Sequence, residues 1–145
     1  MSWSPSAAPK WSVNLVADVV LDASAILAVV RSEEGADRVR QALVEGAIVG
    51  AANHAEVISK LIAYGTPHEQ ILPKLAALGY EVVPVPEADA TTAGFLFGEE
   101  KANRLSLGDR CCLALAIRLS ALVLTGDHPW VEAELDSIVN IELIR

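Results

Sequence analysis

The amino-acid sequence predicts an α/β fold, a three-layer α/β/α sandwich with a central, mostly parallel sheet. Three observations lead there. Short β-favouring runs that are apolar almost throughout, among them Val19-Val20-Leu21, Ala47-Ile48-Val49-Gly50 and Ala121-Leu122-Val123-Leu124-Thr125, have the character of strands covered on both faces. Stretches with helical spacing separate them, and strand–helix alternation places parallel strands beneath crossover helices. The 145 residues, 52% of them hydrophobic, are the length of one ordinary domain and show no internal repeat or dividing linker.

The elements follow in order. Val19–Leu21 is the first strand and ends at Asp22-Ala23-Ser24. A helix is expected over Ala25–Val30 and another over Glu34–Glu45, where Val39 and Leu43 recur at helical spacing and Gly46 closes the run. Ala47–Gly50 is the second strand. Ala55–Ala63 carries the stripe Val57, Ile58, Leu61 and Ile62, ended by Gly65, and Pro67–Leu78 is a further helix stopped by Gly79. Glu81–Val85 is a strand whose Pro84 assigns it to an edge or terminus. A long helix is expected from about Ala88 to Asn103, the clearest helix at Ser106–Leu119, the clearest strand at Ala121–Thr125 and a last strand at Ser137–Leu143.

Composition excludes several classes. A disordered chain would be depleted in Val, Ile and Leu. A disulfide scaffold is excluded because the two cysteines, Cys111 and Cys112, are adjacent in an apolar run, which fits packing and a reducing, cytoplasmic setting. Eleven basic against nineteen acidic residues give a net charge of −8 without any Lys/Arg run, so charge alone does not build a nucleic-acid groove. Trp11–Val30 is long enough to span a bilayer, but it contains Asn14, Asp18 and Asp22, so no membrane association is expected. Residues 1–17 are expected to be a loosely ordered extension, with Trp3 and Trp11 available to dock, and 18–145 the domain.

Four carboxylates attract attention because ligands of open α/β sheets bind beyond the carboxyl ends of the strands. Asp22 directly follows the first strand, and Asp127 follows the Thr125 strand with Gly126 between them. Glu56 is expected in the first turn of the helix after the second strand, and Asp109 in the first turn of the helix beginning near Ser106. Each also has a structural explanation: Asp22 as an N-cap, Ser106–Asp109 as a capping box, Glu56 against a helix dipole, Asp127 as a turn residue. If all four converge, their repulsion demands a cation, and an all-oxygen ligand set selects a hard ion such as Mg²⁺, with Mn²⁺ as a substitute. Such a site, with one ion or two, stabilises the attacking and leaving oxygens of a phosphodiester.

The ordered set Val19-Val20-Leu21-Asp22-Ala23-Ser24-Ala25, Ala55-Glu56-Val57, Leu105-Ser106-Leu107-Gly108-Asp109-Arg110 and Leu124-Thr125-Gly126-Asp127, with Cys112–Ala116, resembles the PIN-domain ribonucleases, and among them the VapC-type toxins of bacterial toxin–antitoxin pairs. The resemblance runs from about Asp18 to Arg145; the preceding residues depart from it. It implies a PIN-like fold and a metal-dependent endoribonuclease, with Asp22 and Asp109 as main metal ligands, Glu56 and Asp127 completing the site, and Ser24 and Thr125 supporting it. It also implies a homodimer and a cognate antitoxin. Water would attack the RNA phosphodiester in line, and either Glu56 or Asp127 would orient it.

Other residues are assigned lesser roles. Arg110, next to Asp109, could touch phosphate, but it projects about 100° away from Asp109 around the helix, which makes a surface or salt-bridge role at least as good a reading. His54 and His128 are expected to be hydrogen-bonding neighbours, and Trp130 a packing anchor. The helices over Ala25–Val30 and Val57–Ile62 carry more apolar residues than one stripe requires, and part of that surface is expected to meet an antitoxin segment or a second subunit. Two competing classes remain. Another Mg²⁺-dependent phosphoryl-transfer domain is disfavoured by Ser24 where a haloacid-type phosphatase has its second aspartate, and by Gly126-Asp127 where a receiver has lysine. A PIN-like protein-binding module without catalysis is disfavoured because all four carboxylate positions are filled.

Overall fold

The computed structural model describes residues 18–133, 135 and 138–145. The expected extension at residues 1–17, with Trp3 and Trp11, and the expected strand start at Ser137 lie outside the described residues. Strands β1 (Val19–Leu21), β2 (Ile48–Gly50), β3 (Glu81–Val83), β4 (Leu122–Thr125) and β5 (Asn140–Leu143) form one sheet in the order β3-β2-β1-β4-β5. Every pairing is parallel, with Val20 opposite Ile48, Leu21 opposite Leu124 and Thr125 opposite Leu143.

The strands are joined by helices α1 (Ala23–Val30), α2 (Ala36–Val44), α3 (Ala51–Ala63), α4 (His68–Leu78), α5 (Glu87–Leu96), α6 (Leu107–Leu119) and α7 (Pro129–Glu132). Strand alternation divides the core into two layers. Leu21, Val49 and Leu124 face one way, onto Ile26, Val39, Val57, Leu61, Ile71 and Leu75 of α1–α4. Val20, Ile48, Val83 and Val123 face the other way, onto Leu96, Cys112, Leu113, Ala116, Trp130 and Leu135. Side chains on a strand point to opposite faces with period two, and both faces of the central strands are covered, so β1, β2 and the Leu122–Leu124 run of β4 are apolar without interruption, whereas edge strand β3 exposes Glu81 and Val82.

β3 is an edge strand and ends at Val83, short of the expected Val85, so Pro84 lies just beyond the ladder rather than within it. Several boundaries differ from the sequence expectation. The helix after β2 starts at Ala51 rather than Ala55, because Ala51 and Ala52 are strong helix formers and Gly50 ends the strand without a turn. Glu56 therefore lies in the second turn of α3. The long helix expected to reach Asn103 stops at Leu96, where Phe97 N–H bonds to Gly94 and Gly98 N–H to Phe95; the tightened bonds and flanking glycines close it. α1 also corrects an expectation: Ala23 through Val29 are all buried within the chain, under α2, α3 and the sheet, so its surplus apolar residues are core and not a docking face. Among the described residues, no helix is long and apolar enough to cross a membrane.

Candidate metal centre

The sheet order reverses around β1, which has β2 on one side and β4 on the other. A crevice opens at such a switch point beyond the carboxyl ends of the strands. Asp22 leaves β1 there and Asp127 leaves the neighbouring β4, so strand pairing alone brings residues far apart in sequence to one place. α6 points its N-terminus at the same crevice and contributes Asp109 from its first turn. One carboxylate oxygen each from Asp22, Asp109 and Asp127 lies within 4.8 Å of the other two.

Asp22 is held from several directions. Its Oδ1 accepts the Ser24 hydroxyl at 2.6 Å and the Ala25 amide at 3.0 Å, which caps α1. Its Oδ2 accepts the Thr125 hydroxyl at 2.7 Å. The same hydroxyls hold the loop after β4: Gly126 N–H donates to Ser24 Oγ at 2.7 Å and Asp127 N–H to Thr125 Oγ1 at 3.0 Å. With about two lone-pair sites per oxygen, Oδ1 of Asp22 is fully used and Oδ2 keeps one site open. Burial pushes the Asp22 carboxyl up to about 7 against the lowering effect of Ser24, Thr125 and Ala25, and the nearby Asp127 charge adds to the rise.

Asp109 closes a capping box. Its amide donates to Ser106 Oγ at 3.1 Å while its Oδ2 accepts the Ser106 amide at 3.3 Å, leaving Oδ1 without a hydrogen bond among the described residues. Partial burial raises its carboxyl, opposed by the Ser106 bonds and assisted by Asp127. The capping explanations for Asp22 and Asp109 are therefore real, and they coexist with oxygens left over for a ligand.

Glu56 stands at the rim. It is outside the three-carboxylate group, its Oε2 lies 3.6 Å from Lys60 Nζ, and a Cβ on Gly108 would collide with its Oε1. Burial raises its carboxyl, Lys60 lowers it, and Asp109 and Asp127 raise it. The acids thus destabilise one another's charged forms, which is the condition a divalent ion relieves. Oxygens around one Mg²⁺ at about 2.1 Å sit about 3–4 Å apart, so the observed grouping needs only a small contraction to fit such an ion.

Two residues of this region escape a reading by motif. Asn53 is fully buried and its Nδ2 donates to the Gly108 carbonyl at 3.1 Å, tying α3 to the first turn of α6. Its signal is the i, i+4, i+8 stripe Asn53, Val57, Leu61, which marks it as facing inward. Arg145 has no local signal; the β4–β5 register brings it to the loop after β4. The remaining candidates lie aside. Arg110 donates to the Ala93 carbonyl at 2.7 Å and its guanidinium covers the Phe97 ring, away from the acids. His54 Nδ1 is 2.9 Å from Tyr80 Oη, Cys112 is buried, and Trp130 is a fully buried anchor.

Residues 19–134 match the family described as PIN domain. The chain belongs to the PIN domain family. Solved structures place the PIN fold here in similar terms. The matched chain of the DNA-bound VapBC from Salmonella typhimurium is 15% identical, with a TM-score of 0.71 over 90% of this chain and 100% of that one. VapBC2 from Rickettsia felis, bound to a DNA fragment from its promoter, gives 15% identity and a TM-score of 0.67, covering 86% and 97%. VapBC-1 from nontypeable Haemophilus influenzae gives 19% and 0.62, covering 87% and 97%. A search of curated protein sequences found no significant match.

Proposed function

We propose that this PIN domain is a divalent-metal-dependent endoribonuclease and the toxin of a toxin–antitoxin pair. The observation that carries the nuclease reading is the meeting of Asp22, Asp109 and Asp127 oxygens within 4.8 Å at the switch point of the sheet. These three would hold the ion, Mg²⁺ or Mn²⁺, with Glu56 adjoining. When bound, the ion supplies a lowered water pKa and charge stabilisation at a phosphodiester. The chain's own contribution is placement. Ser24 and Thr125 fix the Asp22 carboxylate and the loop that carries Asp127 in one network. Glu56, with its carboxyl raised by burial, is suited to take a proton from an attacking water nearer neutral pH than an ordinary carboxylate.

The toxin reading is supported by the VapBC complexes among the structural relatives and by a toxin–antitoxin complex from Klebsiella pneumoniae at 16% identity and a TM-score of 0.63. Exposed Ile62, Tyr64 and Leu72 on the α3–α4 side, and Phe97 and Leu107 near the start of α6, supply apolar surface for an antitoxin or a second copy.

The test is cleavage of single-stranded RNA by the purified protein with Mg²⁺ or with EDTA, beside Asp22→Asn and Asp109→Asn. Cleavage is expected only from the wild type with metal, and loss in each variant of at least about a hundredfold. Cleavage that persists unchanged in both variants overturns the site. A folded wild type that binds a partner but cleaves nothing with metal present establishes a protein-binding module instead.

A further inference from the structure

Arg145 occupies a position that the metal centre does not account for. β5 pairs with β4 so that Leu143 lies opposite Thr125, and Ile144 N–H continues the ladder to the Thr125 carbonyl at 2.9 Å. Two residues beyond Leu143, the chain is therefore level with Asp127. The guanidinium borders the space that a side chain on Gly126 would enter: Cζ, Nε and Nη2 would each be 3.1 Å from a Cβ built there. Gly126 leaves that space open, and its φ is outside the left-handed region, so the absence of a side chain, not a backbone requirement, suits the position.

The guanidinium is placed without being consumed. Its ion pair with Glu33 is 3.7 Å, longer than a hydrogen bond, and no hydrogen bond or ion pair joins it to Asp127 among the described residues. Arginine offers five donors in a planar fork that matches two phosphate oxygens. A guanidinium held against Gly126, the residue before Asp127, with donors in hand and its side chain 28% exposed, can meet an anion that approaches the loop after β4.

We propose that Arg145 binds the RNA phosphate adjoining the bond cleaved at the acidic centre. This rests on the nuclease reading, and the experiment separates the two. Steady-state cleavage of a short labelled single-stranded RNA is measured with Mg²⁺ at several salt concentrations for the wild type, Asp22→Asn, Arg145→Ala, Arg145→Lys, Gly126→Ala and Glu33→Gln, with melting temperatures to establish folding.

Arg145→Ala is expected to raise KM about tenfold with a much smaller change in kcat. It should also reduce the slope of log(kcat/KM) against log salt by about 0.7, the value of one single-strand phosphate contact. Arg145→Lys keeps the slope and recovers part of the KM, because charge survives and the fork does not. Gly126→Ala displaces the guanidinium and raises KM while retaining its charge. Glu33→Gln removes the acid 3.7 Å from the guanidinium and is expected to hold or lower KM, never to raise it.

An Arg145→Ala protein with wild-type KM and salt slope, beside a wild type that cleaves and an inactive Asp22→Asn, overturns the phosphate role and leaves the nuclease site standing. If Arg145→Ala does not fold, the decision passes to the other pair: unchanged KM in both Arg145→Lys and Gly126→Ala overturns the role. A wild type without cleavage removes the nuclease reading and this inference with it.

Discussion

Asp22 serves two purposes with two oxygens: Oδ1 is committed to Ser24 and the cap of α1, while Oδ2 retains capacity beyond Thr125. Burial is nevertheless the stronger influence on its proton, and without an ion the carboxyl sits near 7, well above its ordinary 3.8. The folded state then keeps a proton that the unfolded chain releases. Stability from this group is highest below the unfolded value and falls as pH rises from about 4 to about 7, by an amount of order a few kcal/mol, the loss being complete above the folded value. We therefore expect Asp22→Asn, which keeps an acceptor for Ser24 and Ala25, to stabilise the metal-free protein at about pH 8 and to flatten that decline. Denaturant unfolding in EDTA at about pH 5 and about pH 8 measures this. Adding Mg²⁺ should stabilise the wild type at the higher pH more than the variant, which keeps Asp109 and Asp127 but lacks one of the three charged ligands. A variant less stable than wild type at both pH values would show that the hydrogen bonds of Asp22, not its charge, dominate.

Helix α6 carries Asp109 at one end and is anchored at the other by a buried ion pair. Arg118 donates Nε to Asp89 Oδ1 at 2.8 Å and Nη2 to Oδ2 at 3.0 Å, with both side chains about 5% exposed or less. Arg118 lies in the last turn of α6 and Asp89 in the first turn of α5, so both charges also complement their helix dipoles. Asp89→Ala takes both of these charge-assisted bonds from a buried guanidinium, and is expected to lower unfolding stability by about 3–5 kcal/mol. The double change Asp89→Leu with Arg118→Met, read in the same urea titration, should be milder because neither half of the pair is left in the interior. Equal losses in the single and double variants would mean that packing, not the guanidinium left in the interior, is the cause. Helix boundaries also mark what the sequence discloses. The start of α6 is legible because Ser106 and Asp109 form a side-chain cap. The start of α3 is not, because Gly50 caps it with no side-chain bond, and the end of α5 is not, because no proline stops it. That Asp22 and Asp127 end neighbouring strands is legible once two apolar runs are recognised as strands. The offset of Glu56 to the rim and the arrival of Arg145 at Gly126 depend on where α3 begins and on the β4–β5 register, which local pattern does not encode.

For the molecule as a whole, the question is how a chain of net charge −8 would hold a polyanion. Proteins that grip nucleic acid electrostatically spread many cations along the strand, and each phosphate contact on a single strand adds about 0.7 to the salt dependence. Here the three nearest groups at the proposed site are aspartates, and Arg145 is one cation beside them. The bare centre repels phosphate, and a divalent ion reverses the local sign. RNA binding should therefore be a property of the metal-loaded protein. In fluorescence anisotropy with a labelled single strand at moderate salt, we expect no saturable binding in EDTA, binding restored by Mn²⁺ or Mg²⁺, and a shallow salt slope corresponding to a few contacts at most. Asp109→Asn should bind RNA less dependently on metal, because one negative charge facing the phosphate is gone. Tight binding of RNA in EDTA with a steep slope would locate the contact surface elsewhere, on an assembly whose charge is supplied by a partner. The same charge balance favours such a partner if it is basic: a cationic segment entering the acidic crevice meets the field that excludes RNA, so an inhibitor and the metal would compete for the same three carboxylates.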